Sequence, residues 1–253
     1  MDPQQRLLLE TAAGALADAG GGPGGSAVGV YVGCMYQEYV DVQVAAQGRV
    51  LPQAVVGSGL SFMALSSVGR CRTFDAAADG YGRGEGVAVM LLRPLGLVSE
   101  GGSMPVMMAG SAVNQDGRSS ALTAPNGPAQ SALVRAALAS AAASADNVAC
   151  VSVHGTGTPL GDPIEVGALR QALDPAAGAP PLALVSSKAC CGHTEGAAGL
   201  TGLLLTAAAL REGARPPVAH LRALNPYVAT ALSGATSGGT FAHLPRQAGA
   251  HKI

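Results

Sequence analysis

The chain is predicted to adopt an α/β fold built around a largely parallel sheet. Short apolar runs alternate with longer helical patterns along its 253 residues, most clearly from Gly86 onward. Two helical segments open on an Asp-Pro pair, at Asp2-Pro3 and Asp162-Pro163, and such a pair is typical of a helix N-terminus. Strands that alternate with helices are usually parallel, because each helix carries the chain back across the sheet.

The first part of the chain contains few regular patterns. A helix is predicted between the capping residue Asp2 and the terminator Gly20, and Gln5 completes an arrangement like a capping box. Residues 27–34 (AVGVYVGC) are rich in β-branched residues and predict a buried strand. Residues 37–69 show no regular pattern, so the sequence determines this part of the fold least.

Regular elements then follow one another in alternation. Strands are predicted at 87–95, 105–113, 148–153 and 181–187, and helices at 129–144, 162–173 and 193–210. The last helix is apolar all round, which predicts that it is buried. Its longest apolar stretch, residues 197–210, is too short to span a bilayer. Residues 231–253 are rich in Gly, Ser and Thr and are interpreted as an irregular tail.

The composition limits the partners and the setting. The formal net charge is −1, charged residues make up 12% of the chain, and neither sign dominates. We therefore expect neither nucleic acid nor a membrane surface as a partner. The cysteines are odd in number and irregularly spaced, which predicts no disulfide framework, no metal site, and a reducing, cytoplasmic setting. They are Cys34, Cys71, Cys150, Cys190 and Cys191.

Two histidines follow predicted strands. His154 comes after residues 148–153, and His193 comes after the strand at 181–187 and opens the apolar helix. Since ligands bind beyond the carboxyl ends of parallel strands, both imidazoles are expected at one edge of the sheet. A helix N-terminus disfavours the imidazolium near His193, and two neutral imidazoles that donate to one oxygen would stabilise an enolate. Lys188 is expected behind the two histidines, where it could adjust the properties of their imidazoles.

Simpler interpretations of these residues stay open. A histidine at the end of a strand is often only hydrogen-bonded within its loop. The stretch HGTGTPLGD (residues 154–162) is also compatible with a phosphate cradle or a plain turn. It does not match GxGxxG, and the chain contains no GKS or GKT, so a nucleotide site is weakly supported.

Several longer stretches carry a family resemblance. They are MDPQQRLLLE, GVYVG, GRCRTFDAAADGYGRGEG, GSAVNQDGRSSALTAPNGPAQ, VSVHGTGTPLGDPIEVGAL and KACCGHTEGAAGLTGLL. In this order they resemble the β-ketoacyl synthase (ketosynthase) domain of modular polyketide synthases and fatty acid synthases, and they cover well over half of the chain. The resemblance implies a thiolase-like fold, in which two similar α/β halves with mostly parallel sheets enclose buried helices.

The resemblance also implies an activity and a partner. The family performs decarboxylative Claisen condensation of an acyl group with a malonyl group, with substrates carried on the phosphopantetheine of an acyl carrier protein and no bound cofactor. His154 and His193 match its two catalytic histidines, and Lys188 matches the lysine that supports the second. Thr156 and Thr158 match the threonines that contact the pantetheine arm.

Other charged residues of these motifs are given structural roles. Asp162 and Glu165 are expected to hold the His154 loop and the following helix together. Arg83 and Glu85 lie in the loop DGYGRGEG, where a structural ion pair is expected.

The resemblance has a gap, because no stretch like DTACSSS is present to supply the family's nucleophilic cysteine. The segments that normally flank it are fused near Ala64 and Leu65. We interpret residues 1–95 as an incomplete first half, residues 96–230 as the second half with both histidines, and the remainder as the tail. The family's homodimer is in doubt, because its interface strand is missing. Cys190 and Cys191 stand where the family usually has Asn and Ile, and are interpreted as small buried residues.

Three hypotheses follow from this gap. The chain is a ketosynthase domain without condensation activity, in which malonyl decarboxylation is conceivable. Alternatively, it is a pseudoenzyme or docking fragment that binds a carrier protein or a full-length synthase. The third hypothesis is an incomplete gene product, which sequencing of the transcript across Ala64 and Leu65 would reveal. In each case we expect the isolated chain to be poorly stable, because strands beside the gap lose their hydrogen-bond partners.

Overall fold

The structure is a computed structural model, and it describes residues 10–15, 29–32, 65–92, 106–117, 124–173, 182–213, 216–233 and 242–243. The helices of these ranges are α1 (residues 10–15), α2 (Gly127–Ser140), α3 (Gly161–Ala172), α4 (Lys188–Cys191), α5 (Ala198–Glu212) and α6 (Pro226–Ser233). Single 3₁₀ turns precede β3 at Ala145–Asn147 and α5 at Glu195–Ala197.

The described strands form two sheets. They are β1 (Gly29–Val32), β2 (Val89–Leu92), β3 (Cys150–Ser152), β4 (Leu182–Val185) and β5 (Ala242–His243). β1 and β2 are antiparallel, with Gly29 opposite Leu92. The other three are parallel in the order β3-β4-β5, with Cys150 opposite Ala183 and Leu182 opposite Ala242.

The core lies around the parallel sheet. All four residues of β4 are buried, as expected for a central strand covered on both faces. Helix α3 packs against α2 and α6. The shared core is formed mainly by Val and Leu side chains around one aromatic ring: Phe74, Val153, Val166, Leu169, Leu173, Leu182, Leu184, Ala189, Val218, Leu221, Val228 and Leu232.

Most predicted elements occur in shortened form, but the predicted strand at 105–113 is wrong. Residues 106–113 pair with no strand in the described part of the chain. A strand needs a neighbour for its backbone groups, and this segment lies against α2 instead. Ser111 N–H donates to Ser140 Oγ at 3.4 Å, and the Asn114 amide donates to the carbonyl of Ala129 at 2.7 Å.

The apolar helix α5 is also less buried than its composition predicts. Only Ala198 and Gly202 are buried along it. Leu203, Leu204 and Leu210 are 46%, 40% and 64% exposed. A helix is buried only where another element covers it, and α5 makes few contacts with β2 and β3. Among the described helices, none is long and apolar enough to cross a membrane.

The ends of several elements differ from the prediction. Helix α2 ends at Ser140 rather than 144, and α3 begins at Gly161 with Asp162 inside its first turn. The tail is not wholly irregular, because α6 continues to Ser233 and β5 pairs with β4. Residues 10–15 are helical as predicted, whereas the predicted caps at Asp2 and Gly20 lie outside the described residues.

Candidate functional site

The loop after β3 presents His154 and turns sharply on two glycines. Gly155 and Gly157 have φ values of +48° and +77°, which side chains other than glycine rarely adopt. A Cβ at Gly155 would lie 2.7 Å from Thr73 Cγ2, and one at Gly157 would lie 2.7 Å from the Arg72 nitrogen. The loop therefore packs tightly against residues 72–73, and its close approach requires both glycines.

Two carboxylates of α3 hold this loop in place. Glu165 accepts the backbone N–H groups of His154 at 2.6 Å and Gly155 at 2.9 Å. Asp162 accepts the N–H groups of Gly157 at 3.1 Å and Phe74 at 2.8 Å. The side chain of Asp162 thus bonds across to residue 74 as well as to the loop, and Glu165 binds the first two N–H groups of the loop.

Residues 73–75 connect the loop to α6. Thr73 Oγ1 donates to the carbonyl of Gly155 at 2.6 Å. Phe74 is fully buried with φ of +64°, a conformation that costs a bulky residue about 1–3 kcal/mol. Its N–H donates to Asp162, and its carbonyl accepts the N–H of Asn225 at 2.8 Å. Asp75 accepts the N–H groups of Arg222 and Ala223, and these bonds fix the strained turn.

A second loop positions His193. The N–H of His193 donates to Gly82 at 2.8 Å, and its carbonyl accepts the N–H of Gly84 at 3.0 Å. A Cβ at Gly84 would lie 2.1 Å from the Cys191 carbonyl oxygen, so only glycine fits there. Gly192 ends α4 with φ of +74° and turns the chain toward this loop.

The structure brings the two imidazoles together. The ring centroids of His154 and His193 are 5.4 Å apart, with the planes 84° from parallel. Tyr81 makes a second edge contact with His193, at 5.0 Å. The N–H of Glu195 donates to His193 Nδ1 at 3.0 Å, so in the neutral ring the proton is on Nε2. Nε2–H of His193 is therefore a donor available to a ligand.

Both imidazoles are neutral at physiological pH. His154 is exposed, yet the atoms packed around its ring replace part of its hydration, and this desolvation lowers its pKa to about 4. Burial lowers the pKa of His193 to about 3. The ammonium of Lys188 lowers both values further, and His154 adds to the effect on His193.

Lys188 lies within the protein near both rings. Its side chain is 5% exposed, and burial lowers its pKa, while the charges of Glu165 and Asp162 oppose that shift. Burial in turn raises the pKa of both carboxyls, against the backbone N–H groups that they accept. The pair of imidazoles thus faces a buried cluster of opposite charges.

The remaining predicted residues, the two threonines of the His154 loop and the charged pair at 83 and 85, lie around the two imidazoles. Thr156 is buried, and its hydroxyl lies 3.4 Å from that of Thr158, which accepts the N–H of Gly161. Arg83 forms its ion pair with Glu195, at 3.6 Å, rather than with Glu85 as predicted. The carbonyl of Gly82 and the N–H of Gly84 bind the backbone of His193, which brings Arg83 toward Glu195, and Glu85 lies exposed beyond it.

Sequence reasoning missed several residues that position the site. Tyr81, Glu195 and Phe74 each contact a predicted residue, but none carries a pattern that assigns it this role. The prediction that Cys190 and Cys191 are buried is wrong, since both are exposed at the end of the one-turn helix α4. Cys71 is buried, and its thiol donates to the carbonyl of Gly82.

Two family profiles match the chain. The profile described as "Beta-ketoacyl synthase, C-terminal domain" matches residues 106–222. The profile described as "Beta-ketoacyl synthase, N-terminal domain" matches in two overlapping segments, residues 1–64 and 49–96. Together they cover most of the chain, including both histidines.

Curated relatives are polyketide synthases. One subunit of the phenolphthiocerol/phthiocerol polyketide synthase of Mycobacterium tuberculosis is 47% identical over 170 residues, which are 67% of this chain and 8% of that protein. Another subunit of this mycobacterial synthase is 36% identical over 299 residues, covering 90% of this chain and 16% of that protein. The chain therefore spans only a small part of these relatives.

Solved structures give the same result for the fold. The oxazolomycin ketosynthase domain OzmH KS7 of Streptomyces albus JA3453 has a TM-score of 0.64 and 31% identity, over 72% of this chain and 31% of that one. The ketosynthase from module 6 of the bacillaene synthase of Bacillus subtilis 168 has a TM-score of 0.62 and 29% identity, over 67% of this chain and 32% of that one. These likenesses confirm the predicted thiolase-like α/β fold.

Proposed function

Since this chain belongs to the β-ketoacyl synthase family, as a ketosynthase domain of the modular polyketide synthase type, we propose that its site decarboxylates a malonyl thioester but does not condense it with an acyl group. The observation that supports this is the pair of neutral imidazoles at His154 and His193, 5.4 Å apart. Loss of CO₂ breaks a carbon–carbon bond and leaves the electron pair as an enolate. Two N–H donors directed at the thioester oxygen stabilise that negative charge.

The substrate is proposed to arrive on the phosphopantetheine of an acyl carrier protein. Thr156 and Thr158 lie on the same glycine-bent loop as His154, where their hydroxyls can bind the amides of the pantetheine arm. Burial and, to a smaller extent, the nearby Lys188 ammonium keep both rings neutral, and the neutral His193 ring donates through Nε2–H. Asp162 and Glu165 position the loop without touching substrate.

Condensation is proposed to be lost with the nucleophile segment. The alignment to the mycobacterial relative that covers 90% of this chain has 299 positions, but 90% of 253 residues is only about 228, so about 70 positions have no counterpart here. The split match of the N-terminal profile, at residues 1–64 and 49–96, supports a junction near Ala64 and Leu65. On this basis residues 1–95 are an incomplete first half and residues 96–230 a second half that carries the histidines.

The decarboxylation proposal is tested with malonyl-loaded acyl carrier protein. We expect release of CO₂ and formation of the acetyl-carrier, with a loss of ~100-fold to ~1,000-fold in the His154→Ala and His193→Ala variants. Glu85→Ala, at an exposed position, is the matched control and should retain the rate. Release by the wild-type chain no faster than by His154→Ala would reject the proposal.

The loss of condensation is tested separately. With an acyl thioester and malonyl-carrier supplied together, we expect no β-ketoacyl product by mass spectrometry. Sequencing the transcript should read through the codons for Ala64 and Leu65 without interruption. A β-ketoacyl product, or an insert encoding a stretch like TACSSS, would restore the complete enzyme.

A second candidate function, binding of a carrier protein without turnover, is favoured by a basic surface (Arg70, Arg72, His220 and Arg222). Arg70 Nη1 lies 3.5 Å from both ring nitrogens of His220. Arg72 donates to the carbonyl of Ala77 at 3.2 Å, and the adjacent Ala76 N–H donates to Ala223 at 2.7 Å, which joins the two segments. Such a surface attracts an acidic partner, and the attraction is screened by salt.

Affinity for apo-carrier protein distinguishes this second function. Binding that weakens at least tenfold in Arg70→Glu and Arg222→Glu, but not in Arg211→Glu on α5, would support it when no CO₂ is released. Equal affinity of the three variants would reject the basic surface as the docking site. The dimer expected from the family is a further proposal, testable by ultracentrifugation of the same samples.

A further inference from the structure

We propose that the side chain of Glu195 positions His193 and determines which nitrogen of that ring carries the proton. The carboxylate acts through a clamp, defined as Glu195 together with Tyr81 and Arg83. The inference deepens the proposed function and rests on it only for the effect on CO₂ release. The effect on the His193 ring is a property of the free protein and can be measured without substrate.

The bond that orients the His193 ring comes from the backbone of residue 195. The N–H of Glu195 donates to His193 Nδ1 at 3.0 Å. It is the first N–H of the 3₁₀ turn Glu195–Ala197, and the first N–H groups of a helical turn have no acceptor within that turn. This N–H is therefore available to the imidazole. A neutral ring whose Nδ1 accepts a hydrogen bond carries its proton on Nε2.

The backbone of residue 195 is held in an uncommon conformation. Its φ is +46°, in the left-handed region that residues with a Cβ rarely adopt. A conformation of this kind persists only where surrounding contacts fix it. The other members of the turn are Gly196 and Ala197, whose side chains form no hydrogen bonds. The Glu195 carboxylate is therefore the side-chain group of this turn that can fix the conformation.

The clamp supplies that contact from residues 81–83. The Tyr81 hydroxyl donates to Glu195 Oε1 at 3.4 Å, and Arg83 Nε lies 3.6 Å from the same oxygen. The Glu195 side chain is 9% exposed, so solvent screens its attraction to Arg83 less than that of a fully exposed pair. The same segment binds the backbone of His193 on either side of Arg83. The carboxylate and the imidazole are thus fixed against one loop.

Both ends of residue 195 are therefore fixed, its N–H on the imidazole and its carboxylate on the clamp partners. Without the carboxylate, the backbone relaxes toward a negative φ, and the N–H moves away from His193 Nδ1. The tautomer with its proton on Nδ1 then becomes populated, because it no longer forfeits that hydrogen bond. In this tautomer Nε2 carries a lone pair, which repels the negative charge of an enolate instead of stabilising it.

Tyr81 makes two contacts that can be separated. The edge contact between its ring and that of His193 has a centroid distance of 5.0 Å, with the planes at 64°. Its hydroxyl makes the bond to Glu195. Tyr81→Phe removes the hydroxyl and keeps the ring, so it weakens the clamp without uncovering the imidazole. It is therefore a milder test than Glu195→Ala.

The first experiment records the ¹⁵N NMR signals of the histidine rings in the full chain at pH 7, far above the His193 pKa of about 3. Loss of signals in His193→Ala assigns that ring. In the wild type we expect one nitrogen at the shift of a protonated imidazole nitrogen and the other at that of an unprotonated one. In Glu195→Ala the two shifts should move toward each other, and in Tyr81→Phe they should move in the same direction by less.

Two further variants control this measurement. Glu195→Gln keeps an oxygen that accepts from Tyr81, so it should restore most of the separation between the two shifts. Glu85→Ala changes an exposed carboxylate of the neighbouring segment and should leave both shifts unchanged. With malonyl-loaded carrier protein, Glu195→Ala should lower kcat for CO₂ release by ~10-fold to ~100-fold, because the donor is displaced from the thioester oxygen.

Two results would overturn the inference. One is wild-type ring shifts in Glu195→Ala with a native circular dichroism spectrum, or in Tyr81→Phe where Glu195→Ala does not fold. The other is an equal change of the shifts in Glu85→Ala, which shows a general loosening of the loop. Unchanged ring shifts with normal CO₂ release reject only the role of Glu195. Ring shifts that change as expected in a chain without CO₂ release reject only the proposed function.

Discussion

The His154 loop and the outer face of α5 differ in what holds them in place. The loop is held by buried carboxylates and by residues 73–75, which all belong to the described chain. The face of α5 consists of leucines that solvent reaches, with Leu210 64% exposed. Apolar side chains of residues 106–113 are exposed to solvent as well, since Val113 is 86% exposed.

The difference shows that the two regions depend on different forces. Hydrogen bonds to backbone groups are local and directional, so the loop keeps its shape wherever its own partners are present. Apolar burial needs a covering surface, and it is lost when that surface is missing. The site can therefore be well formed while the outer face of α5 stays exposed. The following predictions test this contrast, from the largest effect to the smallest.

The strongest contrast is between leucines of the two regions. Leu184 in β4 is 0% exposed, so Leu184→Ala should lower the protein's free energy of unfolding by about 2–5 kcal/mol. Leu203→Ala on α5 should cost less than about 1 kcal/mol, because its side chain is 46% exposed. Urea denaturation measures both. Equal losses would mean that a partner covers α5 in solution.

Removal of the Asp162 carboxylate should have an effect of similar size. Asp162→Ala leaves the buried N–H groups of Phe74 and Gly157 without an acceptor, at about 1–3 kcal/mol for each. Glu85→Ala, in the exposed part of its loop, is the control and should be neutral within about 0.5 kcal/mol. If Asp162→Ala unfolds at the wild-type urea concentration, residues 73–75 do not anchor the loop.

Two glycines give a smaller, opposite pair of effects. Gly155→Ala should destabilise by about 1–3 kcal/mol, since φ is +48° and its Cβ would meet Thr73. Gly167→Ala in α3 meets nothing within 4 Å and should stabilise by about 0.5–1 kcal/mol. Thermal unfolding gives the sign of each change. A neutral Gly155→Ala would show that the loop is not tightly packed.

The smallest effect is a displaced titration. With pKa values of about 4 and about 3, His154 and His193 should show no NMR titration of their ring protons above pH 5. Both pKa values are lower than the ~6.5 of histidine in an unfolded chain. The neutral imidazoles therefore contribute to the stability of the folded protein above about pH 6.5, and this contribution is lost as the pH falls toward 3. His220 provides an internal comparison, although partial burial and the nearby arginines lower its pKa as well. A midpoint near 6.5 for His154 would remove the neutral donor pair.

Several features could be predicted because their signals are local. The strands ending before His154 and His193 are short apolar runs, and glycines mark the turn that follows the first of them. The motif matches identified the family. Parallel topology then placed both histidines at one sheet edge, because the carboxyl ends of adjacent parallel strands meet there.

The sequence by itself thus determined most of the elements and the two imidazoles, which are written in consecutive residues. Tertiary structure alone decided that Arg83 pairs with Glu195, that residues 106–113 lie on α2, and that Cys191 and α5 meet solvent. The reason is that exposure and ion-pair choice depend on which distant surfaces meet. A helix with leucines all round is identical in sequence whether or not another part of the protein covers it.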